Sequence, residues 1–196
     1  RFLHLIEMGA EHARKGEKAR IVAKVNSLCD RDIIAALYAA SAAGVQIDLI
    51  VRGICCLKVG IPGISENITV RSIVGNFLGH ARIFYFYSNG NEEIYMGSAD
   101  WMPRNLDKRV EIIFPIEDER LKKEAWHILD TQLRDNVKAH ILQPDGSYEK
   151  IDKRGKVLVN AQETFCQEAT EAAEAPEKIK DQRVSIPAEP LEDPKH

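Results

Sequence analysis

Residues 20–52, RIVAKVNSLCDRDIIAALYAASAAGVQIDLIVR, decide the fold class. The first part, residues 20–27, carries β-branched Ile21, Val22 and Val25 and reads as a strand. Asp30 or Asp32 is placed to cap the helix that follows. In that helix Ile33, Ile34, Leu37, Tyr38 and Ser41 recur at spacings of three and four, and Gly44 ends it. Residues 46–52 then set Ile47, Leu49 and Val51 around Ile50, a strand apolar on both faces. Strand, helix and strand in this order imply a parallel pair joined by a crossover.

Working outward, Phe2, Leu5, Ile6, Gly9 and Ala13 predict a helix over residues 1–15. Gly53, Gly60, Pro62 and Gly63 mark a long irregular stretch, and such loops often carry function. Strands are expected over residues 68–74 and 81–87, the second so apolar and aromatic that it should be central. Ser88-Asn89-Gly90-Asn91 is a hairpin turn signal, with a returning strand over 93–98. A strand over 110–116, a helix over 119–134 and a short strand over 137–142, ended by Pro144-Asp145-Gly146, complete the body. The fold class that results is α/β, a mixed β-sheet flanked by helices.

The whole chain has 196 residues, 44% hydrophobic and 29% charged, with a net charge of −3. Gross positive charge is therefore excluded as a basis for nucleic-acid binding. The longest nearly apolar run, residues 33–45, is too short for a transmembrane helix. The four cysteines do not form a disulfide scaffold, and none has zinc-site spacing, so a reducing, cytoplasmic setting is expected. The chain opens on Arg1, which suggests a piece of a longer protein. From residue 163 onward nine acidic residues face four basic ones, which puts −5 there and leaves +2 on the preceding residues. With four prolines and few large apolar residues, residues 161–196 read as an acidic, largely disordered tail after a domain spanning 1–160.

The chemistry-bearing stretch is Gly79-His80-Ala81-Arg82 followed by Gly97-Ser98-Ala99-Asp100. His80 and Arg82 are two apart at the start of an expected strand, which puts both on one face. Gly97-Ser98 ends the hairpin's second strand, where a small residue and a hydroxyl suit a phosphate. A histidine near neutrality, a guanidinium fork and a hydroxyl donor are what phosphoryl chemistry uses. The plain alternative is a strand-edge histidine satisfied by a backbone carbonyl.

This constellation resembles the phospholipase D superfamily, whose signature is a histidine, a lysine two residues on, and a later glycine-serine. Arg82 stands in the lysine position and Asp100 in place of the pattern's final asparagine. Further segments resemble polyphosphate kinases of the long, ATP-dependent type. They are Ala23–Asp30, Val51–Leu57, Gly60–Asn67, Arg71–Gly75 and Gly97–Asp107. The resemblance covers residues 1–160 and is to the last catalytic domain, of phospholipase D-like fold. It implies reversible transfer of the terminal phosphate of ATP to inorganic polyphosphate through a phosphohistidine. That histidine, and the magnesium ligands, would lie in a preceding domain. It further implies that Arg52 binds ATP phosphates and that His80 is a second active-site histidine at the nucleotide. Asn76 and Gly79 depart from the family pattern, where arginine and glutamate are usual; a phosphate contact and an orienting carboxylate for His80 are lost with them.

Arg52 closes a buried strand, so its guanidinium either takes phosphate oxygens or makes a structural ion pair. Arg104 and Arg109 form a second cationic lip or are plain surface residues. Lys24 and Asn26 alternate on the first strand and reach the same cleft if its end faces that way. Phe84, Tyr85, Phe86 and Tyr87 read as core; His4, His12, His127 and His140 as structural; Cys55 and Cys56 as packing; Asp100 and Asp107 as orienters of arginine. Three function classes follow. The first is the C-terminal half of a polyphosphate kinase site, with ATP/ADP, polyphosphate and preceding domains as partners in a cytoplasmic homo-oligomer that touches membrane at most peripherally. The second is a phosphodiesterase or nuclease of phospholipase D type, and the third a phosphate-binding domain without catalysis.

Overall fold

The computed structural model describes residues 1–174. In chain order its elements are α1 (Phe2–Arg14), β1 (Ala19–Val25), α2 (Arg31–Ala42), β2 (Gln46–Val51), β3 (Ile68–Ile73), β4 (Ile83–Ser88) and β5 (Asn91–Gly97). There follow a π-helical turn (Arg104–Lys108), β6 (Ile113–Pro115), α3 (Glu119–Arg134), β7 (Ala139–Leu142), β8 (Tyr148–Lys150) and α4 (Ala161–Glu174). Eight strands form one sheet in the order β6-β5-β4-β1-β2-β3-β7-β8. β1, β2 and β3 run parallel and the other neighbours antiparallel, the mixed sheet expected.

Local chemistry accounts for the joints. Asp30 caps α2 by accepting from the Ile33 N–H at 2.9 Å, and Gly44 takes the left-handed φ of 100° that stops it. Asn89 and Gly90 hold φ of 46° and 91°, the paired positive angles that a two-residue hairpin loop needs. Asp118 caps α3 by accepting from Arg120 and Leu121 N–H groups. Each sheet face then buries its own core. α1 and α2 cover Ile21, Ala23, Leu49, Phe84 and Trp101 on one side. α3 covers Val22, Ile50, Ile83 and Tyr85 on the other, with the Trp126 ring tilted against Tyr85 at a centroid distance of 4.5 Å.

Three expectations are corrected. The central strand starts at Ile83, not at 81, because side chains take the carbonyls upstream. Lys24 donates to Gly79 O and Ala81 O, and Arg82 donates to His80 O at 3.1 Å, so that stretch stays a loop. The strand over 110–116 shrinks to Ile113–Pro115. The tail does not begin at 161: Ala161–Glu174 is a helix. Buried Asp135 anchors it, one carboxylate oxygen accepting from Val137, Lys138 and Ala139 N–H and the other from Ala161 N–H at 2.8 Å. The rest of the expected tail, 175–196, lies outside the described residues.

Candidate functional site

The site forms where two parallel strands end side by side. β1 and β2 pair Lys24 with Ile50 and Val25 with Val51, so Asn26 and Arg52 leave the sheet together. Asn26 Oδ1 accepts from Arg52 Nε at 3.0 Å, which orients the guanidinium. Ser72 Oγ donates to Arg52 O at 3.1 Å from β3 and fixes the backbone. Asn26 N–H in turn donates to Asp100 Oδ1 at 2.6 Å. Asp100 also accepts from Arg82, Nη2 to Oδ2 at 3.0 Å and Nε to Oδ1 at 3.3 Å. A continuous chain thus runs Arg52–Asn26–Asp100–Arg82. The Nδ2 of Asn26 is buried with no partner among the described residues, a donor whose desolvation nothing offsets.

Three cations meet here around one carboxylate. Burial, then the charges of Arg52 and Arg82, depress the Lys24 ammonium to about 8. For Asp100 burial works upward, but Arg82 and the Asn26 and Ser27 N–H groups outweigh it and hold the carboxyl below 3.8. His80 is exposed on the loop, its imidazole pulled below 6.5 by Arg82 first, then desolvation and Arg52. The ring is therefore mainly neutral at pH 7, so it offers one N–H donor and one lone pair beside fixed positive charge.

A cavity of about 310 Å³ opens beside this cluster, lined by Lys24, Arg52, Phe77, Leu78, Gln132 and Phe165. α4 forms its far wall. Gln162 clamps the loop before His80, accepting from Phe77 N–H at 3.0 Å and donating to Phe77 O at 2.7 Å. His127 pairs with Glu168 at 2.9 Å and secures α4 to α3.

The structure therefore brings together Lys24, Asn26, Arg52, His80 and Arg82. Ser98, Arg104 and Arg109 are outside that run of hydrogen bonds. Ser98 is exposed, its hydroxyl donating to Glu111 and accepting from Ile112 N–H at 3.1 Å. The hydrogen bonds from Ser98 and Asn105 hold the Glu111 carboxyl below its usual range, so a phosphate at Ser98 must displace a carboxylate. Arg104 is exposed, and Arg109 lines a second cavity with Arg1, Asn105 and Glu111. Three of the four aromatics behave as read, since Phe84, Tyr85 and Phe86 are buried, whereas Tyr87 is only partly so. His12 pairs with Glu17, and His140 Nδ1 donates to Lys138 O at 3.0 Å. Cys55 packs on the core, but Cys56 is exposed.

Sequence reasoning missed Glu111, Gln162 and Phe165. Ala161, Phe165 and Ala169 recur every four residues, a helical signal that the acidic count outweighed. Magnesium does not fit the residues present: Asp100 is fully engaged and surrounded by cations. Among the described residues no group of three or more His, Cys, Asp or Glu is placed to hold a metal. Nor is any described helix long and apolar enough to cross a membrane.

The family model "Polyphosphate kinase C-terminal domain 2" matches residues 1–162. The polyphosphate kinase of Pseudomonas aeruginosa is 54% identical over 153 residues, 78% of this chain and 22% of its own length. That of Synechocystis is 59% identical over 148 residues, 76% of this chain and 20% of its own. The chain thus spans about a fifth of the curated relatives it matches. The crystal structure of polyphosphate kinase from Porphyromonas gingivalis superposes with a TM-score of 0.83 at 40% identity, covering 87% of this chain and 26% of that one. Nuc, a phospholipase D family member from Salmonella typhimurium, aligns over 67% of this chain and 87% of its own at 19% identity and a TM-score of 0.47.

Proposed function

Because the chain belongs to the polyphosphate kinase C-terminal domain family, we propose that it supplies the C-terminal half of a kinase site. That site binds ATP phosphates for reversible transfer of the terminal phosphate to inorganic polyphosphate. The observation that carries this reading is that Lys24 and Arg52, at the ends of two parallel strands and beside an open cavity, meet His80 on the loop before β4. Arg52 takes phosphate oxygens with the guanidinium nitrogens that Asn26 leaves free. Lys24 and Arg82 add positive potential from fixed positions, the first through two carbonyls and the second through Asp100. His80, neutral and exposed, donates to a phosphate oxygen or exchanges a proton with the departing group. Loose phosphoryl-transfer transition states need this kind of positioning and charge stabilisation more than covalent help.

Preceding domains of the same polypeptide are proposed to carry the phosphohistidine and the magnesium ligands, in a cytoplasmic homo-oligomer. The phosphodiesterase reading is disfavoured by one contact: Arg82, at the position of the superfamily's lysine, is held by Asp100 rather than directed at a substrate.

The test is Arg52→Ala and His80→Ala in the intact kinase. Each should lower the rate of polyphosphate synthesis about 100-fold or more, the usual cost of one lost transition-state donor, with the circular dichroism unchanged. Near-wild-type rates in both variants reject the assignment. Hydrolysis of a chromogenic phosphodiester that disappears in His80→Ala would instead favour the phosphodiesterase.

A further inference from the structure

The loop that follows Arg52 meets the loop that follows Asn26 through two residues of matching register. Leu28 and Cys55 face each other across a parallel bridge, and Cys56 N–H donates to Leu28 O at 2.8 Å. Residues opposite one another point to the same face, and successive residues alternate. Leu28 is fully buried and Cys55 packs on the same core, so that pair points inward. Cys29 and Cys56, next in register, share the outward face. Neighbouring strands stand roughly 5 Å apart, inside the ~4.4–6.8 Å that the Cα atoms of a disulfide span. Each thiol lies close enough to the other that Cys56 helps to raise the Cys29 thiol above its ordinary range. Cys56 is exposed and Cys29 partly so, while Cys55 turns its Sγ to Leu57 O at 3.8 Å.

We propose that Cys29 and Cys56 are a modification site, a dithiol that a hydroperoxide converts reversibly to a disulfide. With hydrogen peroxide, the Cys56 sulfur attacks one oxygen; the S–O bond forms, the O–O bond breaks, and the other oxygen leaves as water with the Cys56 thiol proton. The Cys29 sulfur then displaces the hydroxyl from the Cys56 sulfenic acid, and its proton departs with that hydroxyl as a second water. Two thiols are oxidised and one hydroperoxide is reduced. The order of attack follows from the surroundings. Burial, then the Cys56 contact, push the Cys29 thiol up to about 11, so it keeps its proton until the resolving step. The bond joins the two segments that carry Asn26 and Arg52, and it stands or falls independently of any phosphate chemistry there.

Thiol mapping on the chain decides it. The protein is exposed to hydrogen peroxide, alkylated with N-ethylmaleimide, digested and analysed by mass spectrometry before and after dithiothreitol. The expected result is a linked Cys29–Cys56 peptide pair, lighter by two hydrogens and restored by dithiothreitol. Cys55→Ser should retain the link. Cys29→Ser should lose it and leave a Cys56 sulfenic acid that dimedone traps. A dominant link through Cys55 or Cys166, or Cys56 recovered only as over-oxidised or free thiol, overturns the proposal. The decisive reading is on the wild-type chain, so a variant that fails to fold does not blunt it.

Discussion

Replacing Lys24 by methionine tests the electrostatics of the site through stability alone. The lysine is 3% exposed, and its ammonium is depressed from 10.5 to about 8, first by burial and then by Arg52 and Arg82. A lysine that binds its proton more weakly in the folded chain than in the unfolded one subtracts stability below pH 8. The deficit lifts as pH rises from 8 toward 10.5, because there the unfolded state holds more protons. At about 1.4 kcal/mol per unit, the full deficit is on the order of 3 kcal/mol, and about 2 kcal/mol of it is relieved between roughly pH 7 and 9.5. Lys24→Met keeps most of the alkyl stem and removes the titration. Urea unfolding of both proteins at the two pH values gives the comparison, and groups common to both cancel in the difference. The wild type should gain about 2 kcal/mol on the variant at the higher pH. A difference constant to within about 0.5 kcal/mol would refute the claim that this charge is desolvated and crowded by arginines.

Other consequences follow from the same contacts. Phosphate oxygens drawn to Lys24 should raise its proton affinity, so polyphosphate binding near pH 8.5 takes up protons; calorimetry in buffers of differing ionisation enthalpy reads this, and zero uptake counts against Lys24 in the site. Asp100→Asn leaves the Arg82 guanidinium, its side chain 12% exposed, without its counter-charge. A loss of about 3 kcal/mol is expected in urea, and an unchanged midpoint would show that the pair is dispensable. The Asp100 carboxyl is held below 3.8, so its contribution is complete above that pH and is lost as pH falls below it; the difference between wild type and variant should therefore vanish in acid. Gln162→Ala removes both hydrogen bonds to Phe77, and amide exchange at Phe77 should accelerate about thirtyfold if each bond contributes about 1 kcal/mol. Unchanged exchange would mean α4 does not hold the loop.

Much of the architecture was legible because its signals are local. The α3 prediction over 119–134 coincides with the observed Glu119–Arg134, since the apolar stripe that marks it repeats within a few turns. The parallel β1–β2 pair and the two-residue hairpin at Asn89-Gly90 were readable for the same reason. The start of β4 was not, because its upstream carbonyls are claimed by Lys24, 55 and 57 residues away in sequence. α4 was hidden by composition: its apolar spacing is present, but what holds it is Asp135, 26 residues upstream. In the site, Arg52 and His80 were marked by position and by resemblance. Ser98 was marked too, yet its hydroxyl is engaged by Glu111, on a segment that gave no sign of it.

By itself the sequence determined the order and type of the strands and long helices from α1 to β7, the crossover, the hairpin, and the residue types available for phosphate chemistry. Periodicity and capping act over a few residues, so the chain declares them directly. Only the tertiary structure decided which polar groups meet: Arg52 with Asn26, Arg82 with Asp100, Gln162 with Phe77. Those pairings depend on where distant segments arrive and on which rotamer each side chain takes once packed. A linear pattern of residue types carries neither.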